Sequence, residues 1–324
     1  MKSNNKKIID EILRQLPDDE KPVDYLTKLL SISKETAYRR MNNKVPFKID
    51  EITILAEHSN LSIDNLLNLT SGNIFPFNKD ESNKKEFTDV YSELLLGDIE
   101  IMEKLLTASN IKITATLSRI PLRLLPYQSL FKLDFYHYLH STGNSLMLNT
   151  TYSDIEIPAS VNDLHKKVAS YFNSLSNITC VIDSSLYSNI IQKIHYYNHL
   201  KFFSPEDLQV LQAELFASLA MYKSLMCDGK NNKSCGYRFY YSYLRIDSTI
   251  IYCEYDDNSL LQVWLYPAKP LVINDKYQID EMRKLWIDSK IRNSTLLTKT
   301  AGIQELYIFE DAYKQISDLS LLFR

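Results

Sequence analysis

Glycine and cysteine are both scarce in this sequence. Six of the 324 residues are glycine, against 22 tyrosines and 13 phenylalanines. Tight turns that bring the backbone close to a phosphate group depend on glycine, so this composition disfavours nucleotide-binding enzymes. The four cysteines are spaced too widely for a metal knuckle or a redox pair of the Cys-x-x-Cys type. We therefore expect reduced thiols, no disulfide framework and no cofactor.

Long apolar runs are also missing. No stretch of about 18 apolar residues occurs, so the sequence predicts no membrane-spanning helix. The segment MKSNNKKIIDEILRQL carries charges every few positions, whereas a signal peptide has an unbroken apolar core. We expect a cytoplasmic protein. Its formal net charge is only -3, so any surface that binds nucleic acid must be a local patch.

Two domains are predicted from the change in pattern along the chain. Through residues 1–70, apolar side chains recur at helical spacing and predict a bundle of five short helices, the last capped by Ser62. The segment 71–83 contains Gly72, Pro76 and a polar cluster without periodicity, which is typical of a linker. We predict an all-α helix-turn-helix bundle followed by an α+β domain over 84–324.

The larger predicted domain begins with helices and ends with strands. A long amphipathic helix is predicted over 86–108, a strand over 111–117, and a mostly helical region to about residue 230. Within that region Ser204-Pro205 is a strong helix start. Between 236 and 273 the segments GYRFYYSYLRI, TIIYCEY and LLQVWLYP alternate in polarity, which predicts an antiparallel sheet.

A basic helix in the first domain carries the functional pattern. The turn before it covers residues 31–33, with Ile32 placed to bury between two helices and Ser33 placed as the N-cap of a helix from Lys34 to about Met41. Between positions 34 and 48 there are five basic residues and one acid, so the local charge is positive. These are Lys34, Arg39, Arg40, Lys44 and Lys48, with Glu35.

Charged residues on one short helix more often form a solvated face than a DNA contact. The order and spacing of the helices in this segment give a second argument for DNA binding. The stretch SISKETAYRRMNNKVPFKIDEITILAEHSNLSIDNLL resembles the phage-repressor-like helix-turn-helix superfamily, and its segment AYRRM looks like the variant in transcriptional regulators of Bacteroides-type bacteria. Later segments, including LLPYQSLFKLDFYHYLHS, are similar in order and spacing to an uncharacterised group of these regulators. The tail departs from that group at Asn293, where a lysine is usual.

The resemblance implies distinct roles for the residues around the recognition helix. Because phosphate contacts position a protein and base contacts specify the sequence, the two sets are expected to behave differently. Double-stranded DNA is the expected partner, bound by a homodimer because one short helix contacts too few bases. The expected base contacts are Lys34, Glu35, Tyr38, Arg39 and, from its outward position and adenine-pairing amide, Asn42; the expected phosphate contacts are Lys28, Arg40, Lys44 and Lys48.

The aromatic residues between positions 237 and 266 allow two interpretations. They could line a ligand pocket, but alternating aromatics also form the core of any half-buried sheet, which we favour. Alternation places Phe239, Tyr241 and Tyr243 on one sheet face. Our hypothesis is that this face contacts an effector, a small molecule or a protein, or a second subunit.

Other chemistry is only weakly indicated. His195 and His199 are four residues apart on a predicted helix, but no third metal ligand is evident, and no nucleophile motif occurs. We predict no catalytic residue, no metal site and no enzyme activity. The main alternative to a DNA-binding regulator is a protein-interaction adaptor that retains the helix-turn-helix bundle, for which duplex binding with a steep salt dependence would be absent. An enzyme fused to a DNA-binding module is a third possibility, but no convergent set of titratable residues supports it.

Overall fold

The computed structural model divides the chain into two units, Met1–Asn78 and Lys79–Arg324. The predicted linker and the predicted helix capped by Ser62 lie outside the described residues. The structure describes residues 5, 8–9, 21–58, 87–141, 149–264, 270–273, 276–298 and 303–323.

The described part of the smaller unit contains three helices, α1 (Pro22–Leu30), α2 (Lys34–Met41) and α3 (Ile49–His58). Proline at the first position of α1 has no amide hydrogen to leave unpaired, which suits a helix start. The N-cap prediction for α2 is confirmed, since the Oγ of Ser33 accepts a hydrogen bond from the backbone N–H of Thr36 at 3.2 Å. Apolar side chains from all three helices form one core, in which Leu26, Ala37 and Leu55 are buried.

The larger unit is built on a seven-stranded mixed sheet with the order β6-β5-β4-β1-β2-β3-β7. Strands β1, β2 and β3 are parallel to one another at the centre. The pairs β1–β4, β4–β5, β5–β6 and β3–β7 are antiparallel. The strands are β1 (Ile111–Leu117), β2 (Ile178–Ile182), β3 (Tyr237–Ser242), β4 (Ile250–Tyr255), β5 (Asn258–Val263), β6 (Leu271–Ile273) and β7 (Ser294–Leu296).

Helices connect the parallel strands and cover the sheet. Parallel strands must be joined by a crossover connection, and here each crossover contains two α-helices. The helices are α4 (Phe87–Thr107), α5 (Gln128–Ser141), α6 (Ala159–Phe172), α7 (Ser188–His199), α8 (Pro205–Asp228), α9 (Lys276–Met282), α10 (Ser289–Arg292) and α11 (Ile303–Asp318), with a π-helical segment, Arg283–Asp288, between α9 and α10.

The two faces of the sheet bury separate cores. On one face, Ile113, Ala115 and Leu117 of β1 join the main core with residues of α4 to α8 and α11. On the other face, Tyr252 and Leu261 pack in a smaller core with residues of α9 and the π-helical segment. The central strands are therefore covered on both sides, and β2 is buried along its whole length.

The predicted fold class, an all-α helix-turn-helix bundle followed by an α+β domain with an antiparallel sheet near 236–273, is wrong. The chain has a mixed α/β fold whose sheet includes β1 and β2. Strand β2 lies in the region predicted to be helical. The segment ITCVI is buried on both faces and therefore lacks the regular polar alternation by which a half-buried strand is predicted. Strand β3 does not pair with β4, because β1 and β2 lie between them.

Several local predictions in the larger unit are confirmed. The long helix predicted over 86–108 is α4, and the strand predicted over 111–117 is β1. Ser204 forms a complete capping box with Asp207 at the start of α8, where proline occupies the first position. Among the described helices, none is long and apolar enough to cross a membrane.

Candidate nucleic-acid interface

The turn between α1 and α2 sets the direction of α2, the predicted recognition helix. Ser31 ends α1 in the left-handed conformation with φ 52°, and α2 begins three residues later at Lys34. Ile32 packs against the core of the smaller unit, and Ala37 is fully buried one turn into α2. The inner face of α2 is thereby fixed, and its outer face is left to solvent.

Four of the residues predicted to contact bases share that outer face. Lys34, Glu35, Tyr38 and Arg39 are all exposed, and Tyr38 presents 57% of its surface. They combine two cations, one carboxylate and one phenol within about a turn and a half of helix. Such donors and acceptors can pair with base edges in a major groove, which admits one helix.

Lys34 also contacts the preceding helix. Its Nζ lies 2.8 Å from the Oδ1 of Asp24 on α1, with both side chains exposed. The hydrogen bond from Lys34 lowers the pKa of Asp24 below its usual range. Because an exposed ion pair of this kind contributes little to stability, Lys34 can exchange Asp24 for a base or phosphate at small cost.

Asn42 is exposed, and its side chain caps the C-terminal end of α2. Its Nδ2 donates a hydrogen bond to the carbonyl oxygen of Tyr38 at 2.8 Å, and its backbone N–H is directed at the same last turn. The next residue, Asn43, has φ 56°, so the helix ends there. The amide of Asn42 therefore caps α2, and a base contact would have to replace that hydrogen bond.

The lysines predicted to bind phosphates flank α2 in the sequence. Lys28 lies exposed in the last turn of α1, while Lys44 and Lys48 lie exposed in the loop from α2 to α3. The loop is held to the helix through the backbone N–H of Lys44, which donates to the carbonyl oxygen of Arg39 at 2.9 Å. Along the chain, one exposed lysine thus precedes α2 and two follow it.

Arg40 differs from the other predicted phosphate contacts. Only 3% of its surface is exposed. Its guanidinium lies 2.9 Å from the Oε1 of Glu51 and within 5.9 Å of the Phe47 ring centroid. The other carboxylate oxygen of Glu51 accepts the backbone N–H of Lys48 at 2.8 Å, at the start of α3. Arg40 therefore joins α2 to α3, and we leave it out of the proposed interface.

Sequence reasoning missed the role of Asn5. This side chain is buried, accepts the backbone N–H of Phe47 at 2.9 Å and donates to the Oδ1 of Asn43 at 2.6 Å. It therefore holds both ends of the loop that carries Lys44. A single asparagine in a charged segment gives no periodic signal, so this contact could not have been found from the pattern.

The aromatic face predicted on β3 is divided by the fold. Phe239 is 1% exposed and packs edge-on against Tyr222 in the main core. Tyr241 is partly buried, and its ring makes an edge contact at 5.1 Å with Tyr243, which is 64% exposed beyond the end of the strand. Only Tyr241 and Tyr243 are placed to meet an effector or a second subunit on a surface.

The remaining predicted residues form no additional centre. His195 and His199 both lie exposed on α7. In the described parts of the chain, no group of three or more histidine, cysteine, aspartate or glutamate side chains is arranged to hold a metal ion.

No protein-family model, curated protein or solved structure was found to match the chain. The exposed face of α2 and its flanking lysines therefore have to be interpreted from their own geometry and charge.

Proposed function

We propose that this protein is a sequence-specific, DNA-binding transcriptional regulator of the phage-repressor-like helix-turn-helix type. The observation that carries the proposal is the outer face of α2, where Lys34, Glu35, Tyr38 and Arg39 are exposed together. A capped short helix after a three-residue turn, with its inner face buried, is the arrangement that inserts a recognition helix into the major groove.

Lys28, Lys44 and Lys48 complete the proposed interface. In this proposal they contact the DNA backbone on both sides of the groove, since all three are exposed and flank α2. Their contacts fix the position of the protein on the duplex, while the α2 side chains select the bases. The local positive charge also explains how a chain with a net charge of -3 approaches a polyanion.

The proposed active form is a homodimer in the cytoplasm, without enzymatic activity. A two-fold dimer places two recognition helices one DNA turn apart, about 34 Å, and so binds a palindromic site. In this proposal the larger unit supplies dimerisation or signal sensing, and the exposed pair Tyr241 and Tyr243 is the surface we assign to an effector or second subunit.

The direct test is to capture fragments of the host's genomic DNA on the purified full-length protein and to sequence those retained. The proposal predicts a palindromic sequence with half-sites about one helical turn apart. Retention without any shared sequence would contradict base recognition. Absence of duplex binding would favour the alternative, a protein-interaction adaptor that keeps the same helical arrangement.

A further inference from the structure

The main core of the larger unit contains a cavity of about 130 Å³, formed between the sheet and helices α4 and α8. Voids larger than a water molecule are rare in protein interiors, because a packed core recovers more dispersion energy. Engineered apolar cavities of about 150 Å³ bind molecules such as benzene. A cavity of this size among buried side chains is therefore large enough for a ligand.

The cavity is elongated along β1. Ile113, Ala115 and Leu117 all line it. Because a strand rises about 3.3 Å per residue, the four steps from Ile113 to Leu117 extend the lining for roughly 13 Å. Cys180 of β2 and Cys253 of β4 line it from the neighbouring strands. Aliphatic and thiol side chains dominate this length, so it suits an extended apolar molecule.

Polar groups are concentrated where β1 ends. Arg123 lines the cavity there, with its Nε 2.8 Å from the Oδ2 of Asp98 and its guanidinium 3.9 Å from the ring centroid of Trp264. Burial raises the pKa of Asp98, and the nearby arginine opposes that rise. The other ionisable side chains of this end of the lining are Arg119 and Asp134, so it holds two carboxyl groups and two arginines.

Trp264 supplies the hydrogen-bond donor at this end. Its indole Nε1 is buried, and none of the described residues accepts a hydrogen bond from it. A buried donor of this kind is stabilised by an acceptor, whereas a charged head group would carry a high desolvation cost on entering a mostly apolar lining that already holds as many carboxyl groups as arginines. The ligand head group that fits is therefore an uncharged acceptor.

We propose that this cavity binds an uncharged, elongated apolar molecule with one carbonyl-type acceptor, such as a medium-chain ketone, whose oxygen accepts a hydrogen bond from the Trp264 indole. Phe239, expected from the sequence to face an effector, is among the residues that line the cavity. This inference concerns the larger unit alone and does not depend on DNA binding.

Tryptophan emission gives a direct assay. The chain has two tryptophans, Trp264 and the half-exposed Trp286, so a full-length Trp286→Phe variant retains the cavity residue as its sole tryptophan. Titration with 2-octanone should change the emission saturably, and sodium octanoate, the charged match, should bind at least tenfold more weakly. Absence of a saturable change with 2-octanone, or tighter binding of octanoate, would overturn the proposal.

Cavity-filling variants locate the binding. Ala115→Leu and Cys253→Leu each place a larger side chain into the lining from a different strand, and each should weaken 2-octanone binding at least tenfold. Ala169→Leu is the control, because Ala169 is buried in the same unit but does not line the cavity. Circular dichroism identifies the variants that fold. If either folded lining variant binds 2-octanone as the parent does, the cavity is not the site.

The head-group contact has its own variant. Trp264→Phe keeps the aromatic ring beneath Arg123 but removes the donor, so calorimetry should show about fivefold weaker binding of 2-octanone. Equal affinity of the parent protein for 2-octanone and octane, with no effect of Trp264→Phe on either, would show that no head-group hydrogen bond is made and would overturn the assigned role of Trp264.

Discussion

Arg40 of α2 forms a buried ion pair with Glu51 of α3, with 2.9 Å between the guanidinium nitrogen and the carboxylate oxygen. The same carboxylate accepts the backbone N–H of Lys48, the residue immediately before α3. One side chain thus fixes both the position of α2 and the start of α3. The adjacent arginines therefore differ, since Arg39 is exposed and Arg40 is buried in a structural contact.

Replacing Arg40 should therefore destabilise the helices and not merely weaken DNA binding. Arg40→Ala leaves the Glu51 carboxylate buried without its partner, for which the expected cost is about 3–5 kcal/mol. Hydrogen exchange of the α2 and α3 amides measures the free energy of local opening. Lys44→Ala removes the same charge from an exposed position and should change the free energy of local opening by less than about 0.5 kcal/mol. Equal protection in the two variants would contradict the structural role.

Alanine variants of the two surface cations Arg39 and Lys44 should lose DNA binding in different ways. Arg39→Ala should cost about 1–3 kcal/mol and relax the sequence preference at one base pair of the selected site. Lys44→Ala should weaken binding to all duplexes alike and make the salt slope smaller by about 1 for each phosphate that is no longer neutralised. Fluorescence anisotropy on the selected duplex and its single-base-pair variants separates these outcomes. Identical salt and sequence profiles would disprove the assignment.

Ser31→Gly should stabilise the smaller unit. Ser31 is an exposed, non-glycine residue in the left-handed conformation at the end of α1, where a β-carbon is unfavourable. Glycine relieves that strain, although its greater freedom in the unfolded chain offsets part of the gain. The net effect should raise the free energy of local opening of α1 and α2 by about 0.5–1 kcal/mol. Ser31→Ala is the matched control and should give no gain. A loss of protection in the glycine variant would show that the turn is not strained.

Acid should destabilise the larger unit partly through His137. Burial lowers its pKa to about 4, and its Nδ1 lies 2.7 Å from the hydroxyl of Tyr197. Because the unfolded chain takes up this proton near pH 6.5 and the folded chain only near pH 4, the stabilising contribution is complete above pH 6.5 and is lost as the pH falls towards 4. Burial lowers the pKa of His140 and His165 in the same direction.

The measurement is the melting temperature between pH 7 and pH 5. His137→Gln keeps a polar side chain that does not titrate. The melting temperature of this variant should therefore fall less between pH 7 and pH 5 than that of the parent. The difference should be about 2–4 °C for each kcal/mol of stability that the parent loses by protonation of His137. A parallel fall in both proteins would mean that His137 takes up its proton equally in the folded and unfolded chains.

Local patterns in the sequence were sufficient to predict where α2 begins and which of its faces is buried. Ser33 as the cap, the start at Lys34 and the buried Ala37 all depend on neighbours within one turn, and each is seen in the structure. The exposure of Lys34, Tyr38 and Arg39 follows from the same 3.6-residue period.

Long-range pairings could not be predicted in this way. The insertion of β1 and β2 between β3 and β4 depends on crossovers through pairs of helices, which leave no mark on the alternation of the strands themselves. Arg40 has the same basic character as Arg39, and its burial is decided by Glu51, eleven residues away on another helix. Fold class and the membership of the phosphate set were therefore the points at which sequence reasoning failed or was incomplete.

The salt dependence of duplex binding tests the central claim most directly. A homodimer that uses Lys28, Lys44 and Lys48 from each subunit neutralises six phosphates, so the logarithm of the binding constant should fall with the logarithm of salt concentration with a slope of roughly -5. Titrations of the wild-type protein on a captured duplex between about 50 and 200 mM salt measure this slope. A steep slope near that value is the predicted result, and a slope near zero, or no binding at the lower salt concentration, would contradict DNA recognition by this surface.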